Sequence, residues 1–385
     1  MQSSHIMKRP QNLSMKNPSK IACIASFPPP LAGQSLAAEI LFNGIMSDYA
    51  DEFELKKLNL SEAIGGESLL HRSAKILHIA LKLAVFSAHK SNSAIYLQLG
   101  HGKTSILRDT LFLAIGKAFG KKCIGHVHGS GYRLALEALP TILRKAARHF
   151  ATRCDAAIVL SESLRSMFED IVNDKQIFCV ANGIEPALEL AARQFTRNFD
   201  SENKTLHLLY LSNLLEAKGY DLLLEQARQS AKNGDKIHYD FVGPKIKGQT
   251  PDIEEYIQKH QLNNVTWHGS KTDKAKYEIY KKADIFCLPS QYEGQPLCIL
   301  EAMHFALPII STTVGGIPDI FQNKSGAILI PPKSPQQLNA AIQRLARNPA
   351  LRQDLGRANK ENAIAHYSAK AHVSAMVEVF RALLS

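Results

Sequence analysis

Short apolar segments alternate with longer helix-like segments along most of this 385-residue chain. Parallel strands need a crossover connection, usually a helix, so this alternation predicts parallel βαβ units. A second series of the same kind begins near residue 206, and a chain of this length can build two cores. The fold class predicted is therefore α/β with two domains. The expected strands span residues 21–26, 53–58, 94–99, 122–127, 156–160, 177–181, 206–212 and 285–288, and two more end at residues 243 and 269.

The domain boundaries are predicted from changes in composition along the chain. The first 20 residues are polar and basic, which is typical of a disordered extension. The end of the chain has the pattern of an amphipathic helix over residues 373–384. The predicted division is an extension at 1–20, a first domain at 21–190, a linker at 191–204, a second domain at 205–365 and a terminal helix at 366–385.

The most informative stretch runs from Asp284 to Asp319 and predicts a strand, a glycine-bearing loop, a short helix, another strand and a glycine turn. Pro296 is expected in the first turn of the helix, where proline is well tolerated. The helix sequence LCILEAMHFAL is apolar almost all round, which indicates burial on every side. Glu301 lies in its middle, and a buried carboxylate is costly unless a polar group binds it.

Glu293 lies eight residues before Glu301, in the loop that leads to the helix N-terminus. Free N–H groups and the helix dipole make such an N-terminus an anion site. The arrangement suits a nucleotide sugar, with sugar hydroxyls at Glu293, the diphosphate at the helix N-terminus and ribose hydroxyls at Glu301. The alternative is purely structural: Glu293 would stabilise the helix dipole, and Glu301 would be a core glutamate bonded to nearby backbone.

This stretch resembles the donor-binding signature of retaining GT-B glycosyltransferases of group 1, which has two glutamates separated by seven residues. Glu293 and Glu301 have that separation, and Gly315, Gly316 and Pro318 follow as the expected small-residue turn. The resemblance implies two Rossmann-like domains with parallel sheets facing across a cleft. It also implies an acceptor-side first domain, a donor-binding second domain and a C-terminal helix that crosses back to the first domain.

The resemblance carries several further residues into the expected site. Lys218 matches the family's cation for the leaving diphosphate, whereas Asn213 stands where the family usually has arginine and offers only a neutral hydrogen bond. His128 matches a histidine near the transferred sugar, and the resemblance implies catalytic roles for Lys218, Glu293 and His128. The implied donor-binding residues are Gly33, Asn182, Asn213, Lys218, Gly243, Ser270, Lys271, Glu293, Gly294, Gln295, Pro296, Leu297 and Glu301.

Several other chemistries are disfavoured by the sequence. No D-x-D motif occurs, and no third ligand accompanies His126 and His128, so we expect no metal and no cofactor. The segment Gly100–Thr104 resembles part of a P-loop, but Leu97 stands where that motif needs glycine. The six cysteines have no metal or redox spacing, and neither a signal peptide nor a membrane-spanning run is evident. We therefore expect a cytoplasmic location.

The formal charge of +11 belongs to the first part of the chain, because residues 1–153 hold 20 Lys and Arg against 9 Asp and Glu. Residues 69–90 contain no acidic residue, and this segment predicts a helix with a basic stripe beside an apolar stripe of Ile76, Ile79, Leu83 and Phe86. A second basic cluster includes Arg133, Arg144, Lys145, Arg148 and Arg153, and the basic stripe of the helix is His71, Lys75, His78, Lys82 and His89.

This charge has several interpretations. A solvated helix face is one, while nucleic acid is disfavoured because no recognition motif accompanies the charge. We favour peripheral contact with the anionic inner face of the cytoplasmic membrane.

The function predicted is transfer of a sugar, with retention and without metal, from a nucleotide diphosphate sugar to a hydroxyl of a saccharide or lipid-linked saccharide. UDP-sugars are favoured over GDP-sugars, and bacterial cell-surface polysaccharide or glycoconjugate synthesis is the expected setting. Two alternatives remain open. One is a sugar-nucleotide epimerase or phosphorylase on the same scaffold, since fold does not determine function. The other is a non-catalytic nucleotide-sugar-binding protein, which the replacement of arginine by Asn213 favours.

Overall fold

The computed structural model describes residues 17–29, 32–61, 69–198, 205–248, 251–322 and 326–384. Strands and helices alternate through these ranges, as the apolar pattern predicts. The strands are β1 Ser19–Ala25, β2 Phe53–Asn59, β3 Asn92–Leu99, β4 Lys122–Val127, β5 Ala156–Val159, β6 Ile177–Cys179, β7 Leu206–Leu211, β8 Ile237–Val242, β9 Val265–Trp267, β10 Ile285–Leu288, β11 Ile309–Thr312 and β12 Ala327–Ile330.

The helices lie between and after these strands. They are α1 Gly33–Asp48, α2 Leu69–Ala88, α3 Lys103–Ala118, α4 Tyr132–Glu137, α5 Thr141–Ala151, α6 Pro186–Arg193, α7 Tyr220–Asn233, α8 Ile253–His260, α9 Asp273–Lys282, α10 Leu297–His304, α11 Ile317–Ile320, α12 Pro335–Ala346, α13 Pro349–His366 and α14 Ala369–Leu384. None of the described helices is long and apolar enough to cross a membrane.

The strands form two parallel sheets of six strands each. The first sheet has the order β2-β1-β3-β4-β5-β6, and the second has the order β12-β11-β10-β7-β8-β9. The strand order reverses next to β1 in the first sheet, one strand in from its edge, and next to β7 in the middle of the second sheet. Ligands of open α/β sheets bind at such points, beyond the carboxyl ends of the strands. The predicted α/β class with two Rossmann-like domains is confirmed.

Most predicted strands lie within two residues of their observed bounds, and β4 and β10 match them fully. The chain is ordered earlier than expected, since Ser19 and Lys20 belong to β1; residues 1–16 of the predicted extension lie outside the described residues. Helix α6 continues to Arg193, into the segment predicted as a linker. Pro296 is the N-cap of α10 rather than part of its first turn, because the helix begins at Leu297.

The last helix, α14, packs against the first domain, as the resemblance implied. Val373, Met376 and Phe380 are buried together with residues of β1 and α1. The two helices approach closely at Gly44, where an added Cβ would lie 2.5 Å from Cγ2 of Val373. Glycine is therefore required at this crossing.

Phe380 provides a test of how strongly α14 holds the first domain. Its ring is fully buried and makes edge contacts with Phe53 and Tyr96, at centroid distances of 5.7 and 6.1 Å. We expect Phe380→Ala to lower the free energy of unfolding by about 3–5 kcal/mol, because it leaves a cavity. Urea denaturation followed by circular dichroism measures this. Glu378→Ala, at a side chain that is 70% exposed, is the matched control, and an equal effect in both variants would contradict the packing argument.

Candidate active site

A cavity of about 580 Å³ lies between the two domains, at the carboxyl ends of both sheets. Residues from both domains line it, and every residue that the sequence analysis placed in the site is among them. These are Gly33, His128, Asn182, Asn213, Lys218, Gly243, Ser270, Lys271, Glu293, Gly294, Gln295, Pro296, Leu297 and Glu301.

Glu293 is held at the cavity wall by two side chains. Its Oε2 lies 2.8 Å from Nζ of Lys218, and its Oε1 accepts a hydrogen bond of 2.7 Å from Oγ of Ser290. The backbone of Glu293 is packed against Gly315. Glycine is needed at this position because its φ of 55° is unfavourable for other residues and because a Cβ would overlap the Glu293 carbonyl. The predicted glycine turn therefore supports the loop that carries Glu293.

Lys218 ends a short 3₁₀ turn, Glu216–Lys218, that follows β7. The next residue, Gly219, has a φ of 74° and lies so close to the carbonyl of Pro289 that a Cβ there would overlap it. This contact fixes the turn against the end of β10. The Lys218 side chain keeps 27% of its surface exposed, so its ammonium group faces the cavity while it is paired with Glu293.

Glu301 is buried in α10 and both of its carboxylate oxygens are bound by side chains from α9. Nζ of Lys276 lies 2.8 Å from Oε1, and the hydroxyl of Tyr280 donates to Oε2 over 2.7 Å. Glu301 is thus a buried glutamate whose partners are side chains rather than the backbone groups that the structural alternative named, and its contact with ribose stays a prediction. Lys276 was missed in the sequence analysis, although its spacing of four residues from Tyr280 places both side chains on one helix face.

His128 faces the cavity from the first domain. Burial lowers the pKa of His128 to about 3, with smaller contributions from neighbouring histidines. The rings of His126 and His128 are 4.1 Å apart, and burial also lowers the pKa of His126 and of His372. His128 is consequently a neutral imidazole near neutral pH. The Asn182 side chain opposes part of this pKa shift, yet among the described residues neither ring nitrogen of His128 has a hydrogen bond of good geometry.

Gln295 was predicted to bind the nucleotide sugar, but its side chain is hydrogen-bonded to residues of the first domain. Its side-chain oxygen accepts a hydrogen bond of 2.7 Å from the backbone N–H of Asn182, and its Nε2 donates to the carbonyl of Leu160 over 3.2 Å. The Asn182 side chain donates to the Gln295 carbonyl in return. Gln295 therefore joins the donor-side loop to the first domain.

His101 is a further cavity residue that the sequence analysis did not propose. It lies in the segment Gly100–Thr104, which was set aside as an incomplete P-loop. Its imidazole packs over Gly129, where an added Cβ would lie 3.3 Å from Nδ1 of His101. Only the fold brings His101 beside His128, so no local sequence signal could have identified it.

The described ranges contain no group of three or more histidine, cysteine, aspartate or glutamate side chains arranged to hold a metal ion. The cavity instead combines two lysine–glutamate pairs with backbone at the start of a helix. Metal-independent chemistry remains a prediction.

Residues 193–362 match the model of a known protein family, "Glycosyl transferases group 1". This range contains all the cavity-lining residues of the second domain, from Leu211 to Glu301.

The chain is also similar to individual characterised and uncharacterised proteins. It is 26% identical over 220 residues to an "Uncharacterized glycosyltransferase" of Haemophilus influenzae, covering 54% of this chain and 57% of that protein. It is 22% identical over 289 residues to the alpha-D-kanosaminyltransferase of Streptomyces kanamyceticus, covering 69% and 72%. A putative colanic acid biosynthesis glycosyltransferase, WcaL of Salmonella typhimurium, is 27% identical over 158 residues, covering 39% and 38%. The match to the first and third of these spans less than two thirds of their length.

Solved structures resemble the chain over nearly its whole length. Sucrose-phosphate synthase from Thermosynechococcus elongatus superimposes with a TM-score of 0.73 at 19% identity, covering 95% of this chain and 99% of that one. HepE of Anabaena, solved in complex with UDP, has a TM-score of 0.68 at 15% identity, covering 95% and 100%. At this level of identity the likeness establishes the fold, which is GT-B.

The Gln295 contacts can be tested by removing the side chain. Gln295→Ala leaves the buried N–H of Asn182 without its acceptor, so we expect the free energy of unfolding to fall by about 1–3 kcal/mol. Urea denaturation measures the change. Gln229→Ala, at an exposed glutamine of α7, is the control, and the interpretation is wrong if both substitutions have the same effect.

Proposed function

Because residues 193–362 match the group 1 glycosyltransferase family and the chain has the GT-B fold, we propose that it transfers a sugar from a nucleotide diphosphate sugar to a hydroxyl of a saccharide or lipid-linked saccharide. The observation that carries the proposal is the position of the two lysine–glutamate pairs at the two sides of the α10 N-terminus, in one cavity between the domains. UDP is the favoured nucleotide, which the UDP complex of the structurally similar HepE supports.

The geometry of the donor site follows from α10. The first N–H groups of a helix lack intrahelical partners and attract phosphate, so the donor diphosphate would bind at the start of α10, from the N–H of Leu297 onward, since Pro296 has no N–H. Glu301 would accept hydrogen bonds from the ribose hydroxyls on one side of the diphosphate, and Glu293 from the sugar hydroxyls on the other. Lys218, held beside Glu293, would add its positive charge to the phosphate nearest the sugar.

The chemistry proposed is retaining and independent of metal. The bond between the anomeric carbon and the phosphate oxygen would break first, through an oxocarbenium-like transition state. Lys218 and the helix N-terminus would stabilise the departing diphosphate where its negative charge develops. The acceptor hydroxyl would then bond to the anomeric carbon on the same face, giving its proton to a phosphate oxygen of the leaving group. Neutral His128 would contribute a hydrogen bond beside the transferred sugar.

The setting proposed is synthesis of a bacterial surface polysaccharide at the cytoplasmic face of the membrane. Relatives named for colanic acid and amylovoran biosynthesis support a polysaccharide acceptor. The positive charge of residues 1–153 supports peripheral contact with anionic lipid, beside which a lipid-linked saccharide would be accessible.

The experiment that tests this function combines a binding screen with a transfer assay. Thermal shifts with UDP, GDP, ADP and their sugars identify the nucleotide, because a ligand that binds the native state raises the unfolding temperature. Mass spectrometry of acceptor mixtures then detects the glycosylated product. We expect the largest shift with a UDP-sugar and a product that keeps the donor's anomeric configuration. Release of an epimerised sugar nucleotide would instead identify an epimerase, and tight binding without turnover would indicate a non-catalytic protein.

The role of Glu301 predicts a selective loss of donor affinity. Glu301→Gln removes a charged acceptor of ribose hydroxyls, and such hydrogen bonds contribute about 1.5–3 kcal/mol, so the dissociation constant should rise by about tenfold or more. Isothermal titration of the folded variant with the nucleotide measures it. Glu278→Gln, on the exposed side of α9, is the matched control. Unchanged affinity in a folded Glu301→Gln protein would exclude the ribose contact.

Lys218 is expected to act mainly on the transition state. Lys218→Ala should lower kcat by about 100-fold, the scale of effect when one charge-stabilising donor is removed. Steady-state kinetics measure the change, with Lys281→Ala at a surface lysine of α9 as the control. A variant with near-normal turnover would assign leaving-group stabilisation to another residue.

A further inference from the structure

Helix α2 carries apolar residues on two opposite faces. Ile79, Leu83 and Phe86 are buried against the first sheet, as the predicted apolar stripe requires. The opposite face is also aliphatic and it faces solvent, with exposed fractions of 84% for Leu70, 59% for Leu77, 59% for Leu81 and 64% for Val85. The sequence analysis identified only the buried face.

The exposed residues form one continuous stripe. Their spacings of seven, four and four residues place Leu70, Leu77, Leu81 and Val85 along one side of the helix. Single exposed leucines are common on protein surfaces, but a row of large aliphatic side chains indicates an interaction site. No described part of the chain covers this row. We call it the outer stripe.

Two histidines and a lysine border the outer stripe on one side. His71 follows Leu70, His78 follows Leu77 and Lys82 follows Leu81, each one position further round the helix. Residues 69–90 contain four lysines and arginines and no aspartate or glutamate. The surface is therefore apolar along its centre and positive at its edge.

The second predicted basic cluster differs from α2 in its charge balance. Arg144 and Arg148 lie within 3.6 Å of Glu137, and Arg133 binds Asp170 and nearby carbonyl groups. These arginines hold α4, α5 and the following loop together. The sequence of α2 itself contains no aspartate or glutamate.

We propose that the outer stripe of α2 inserts into the interfacial region of an anionic lipid membrane, with α2 lying in the membrane plane. Amphipathic helices with a basic edge bind in this way, through buried apolar area and attraction to anionic headgroups. A second copy of the chain is a poorer occupant, because a symmetric contact would bring two positive helices together. Nucleic acid would leave the aliphatic row without a partner. The proposal deepens the membrane location suggested above and is independent of the donor and acceptor.

Vesicle sedimentation tests the proposal with the full chain. Vesicles of phosphatidylcholine alone, or mixed with phosphatidylglycerol, are compared at low and high salt. We expect binding to the anionic vesicles. Leu81→Ser should weaken it about tenfold, and Leu77→Ser combined with Leu81→Ser should weaken it further, because each change removes a leucine from the apolar contact. Lys82→Gln should weaken binding about fivefold at low salt and little at high salt.

Two controls make the result specific. Leu190→Ser changes a leucine of α6 that is 58% exposed, which matches Leu81, and it should leave vesicle binding unchanged. The thermal shift with a nucleotide, which depends on the second domain, checks that each variant is folded. A tryptophan introduced by Leu81→Trp should be quenched when the protein binds vesicles of brominated lipid. The native chain has one tryptophan, Trp267 in β9, so the fluorescence of the native protein gives the background for this measurement.

Each other outcome would overturn the inference in a distinct way. If the double variant binds anionic vesicles as the native chain does, the contact lies elsewhere on the first domain. If the native chain stays in the supernatant at low salt, both the stripe and the membrane location are wrong, while a transfer assay with a soluble acceptor still decides the enzymatic proposal. If light scattering shows a dimer that the double variant abolishes, the outer stripe is an interface between copies of the chain.

Discussion

The candidate site depends on one close approach between the two domains. At Gly294 the donor-side loop meets the backbone of His128, and an added Cβ would lie only 2.7 Å from the His128 carbonyl. Gly316 is equally confined, 2.5 Å from the Gly294 carbonyl by the same measure. The hydrogen bonds of Gln295 to Asn182 and Leu160 then fix the loop in this position. Because Glu293 and the start of α10 belong to this loop, the contact sets how the donor-side groups face the histidines of the first domain.

The ion pair between Glu301 and Lys276 is difficult to explain by a contribution to the stability of the fold. Removing two charges from water is costly, and well-packed apolar residues of similar volume often stabilise a protein as much or more. Here both partners are nearly buried, Glu301 at 3% exposure in the apolar helix α10 and Lys276 at 7% exposure on the neighbouring α9. Such a pair is expected where a charged group serves a ligand, which is the role proposed for Glu301. Tyr280 and Lys276 orient the carboxylate at the cavity, so that it can accept hydrogen bonds without rearranging.

The sequence allowed good prediction of features that arise from local pattern. Strands β4 and β10 were placed at their observed bounds, because a short apolar run between helical segments can be recognised directly from the sequence. The two glutamates and the glycine turn were recognised because their spacing is local. Pro296 was misplaced by one residue, which is the usual uncertainty of a helix boundary.

The features that were missed depend on contacts between distant segments. Gln295 binds residues that are 113 and 135 positions away along the chain, so no window of sequence could show that its side chain was already occupied. Lys276 pairs with Glu301 over 25 positions, and His101 meets Gly129 only because β3 and β4 are neighbours. The outer stripe of α2 was overlooked for a different reason. When a helix is apolar on two faces, the sequence shows that one face can pack in the core but does not show whether the second face is also covered. Only the packing shows that the second face of α2 is exposed.

The distribution of charge connects these observations. Residues 1–153 carry the whole net charge of +11, and the remaining residues sum to zero. In the cavity between the domains, Lys218 and Lys276 are each paired with a glutamate. For the proposed transfer from a nucleotide sugar, such pairing would keep an excess of buried positive charge from holding the product diphosphate too tightly. The net excess of positive charge lies instead on the first domain, where long-range attraction to an anionic surface would orient that domain toward the surface.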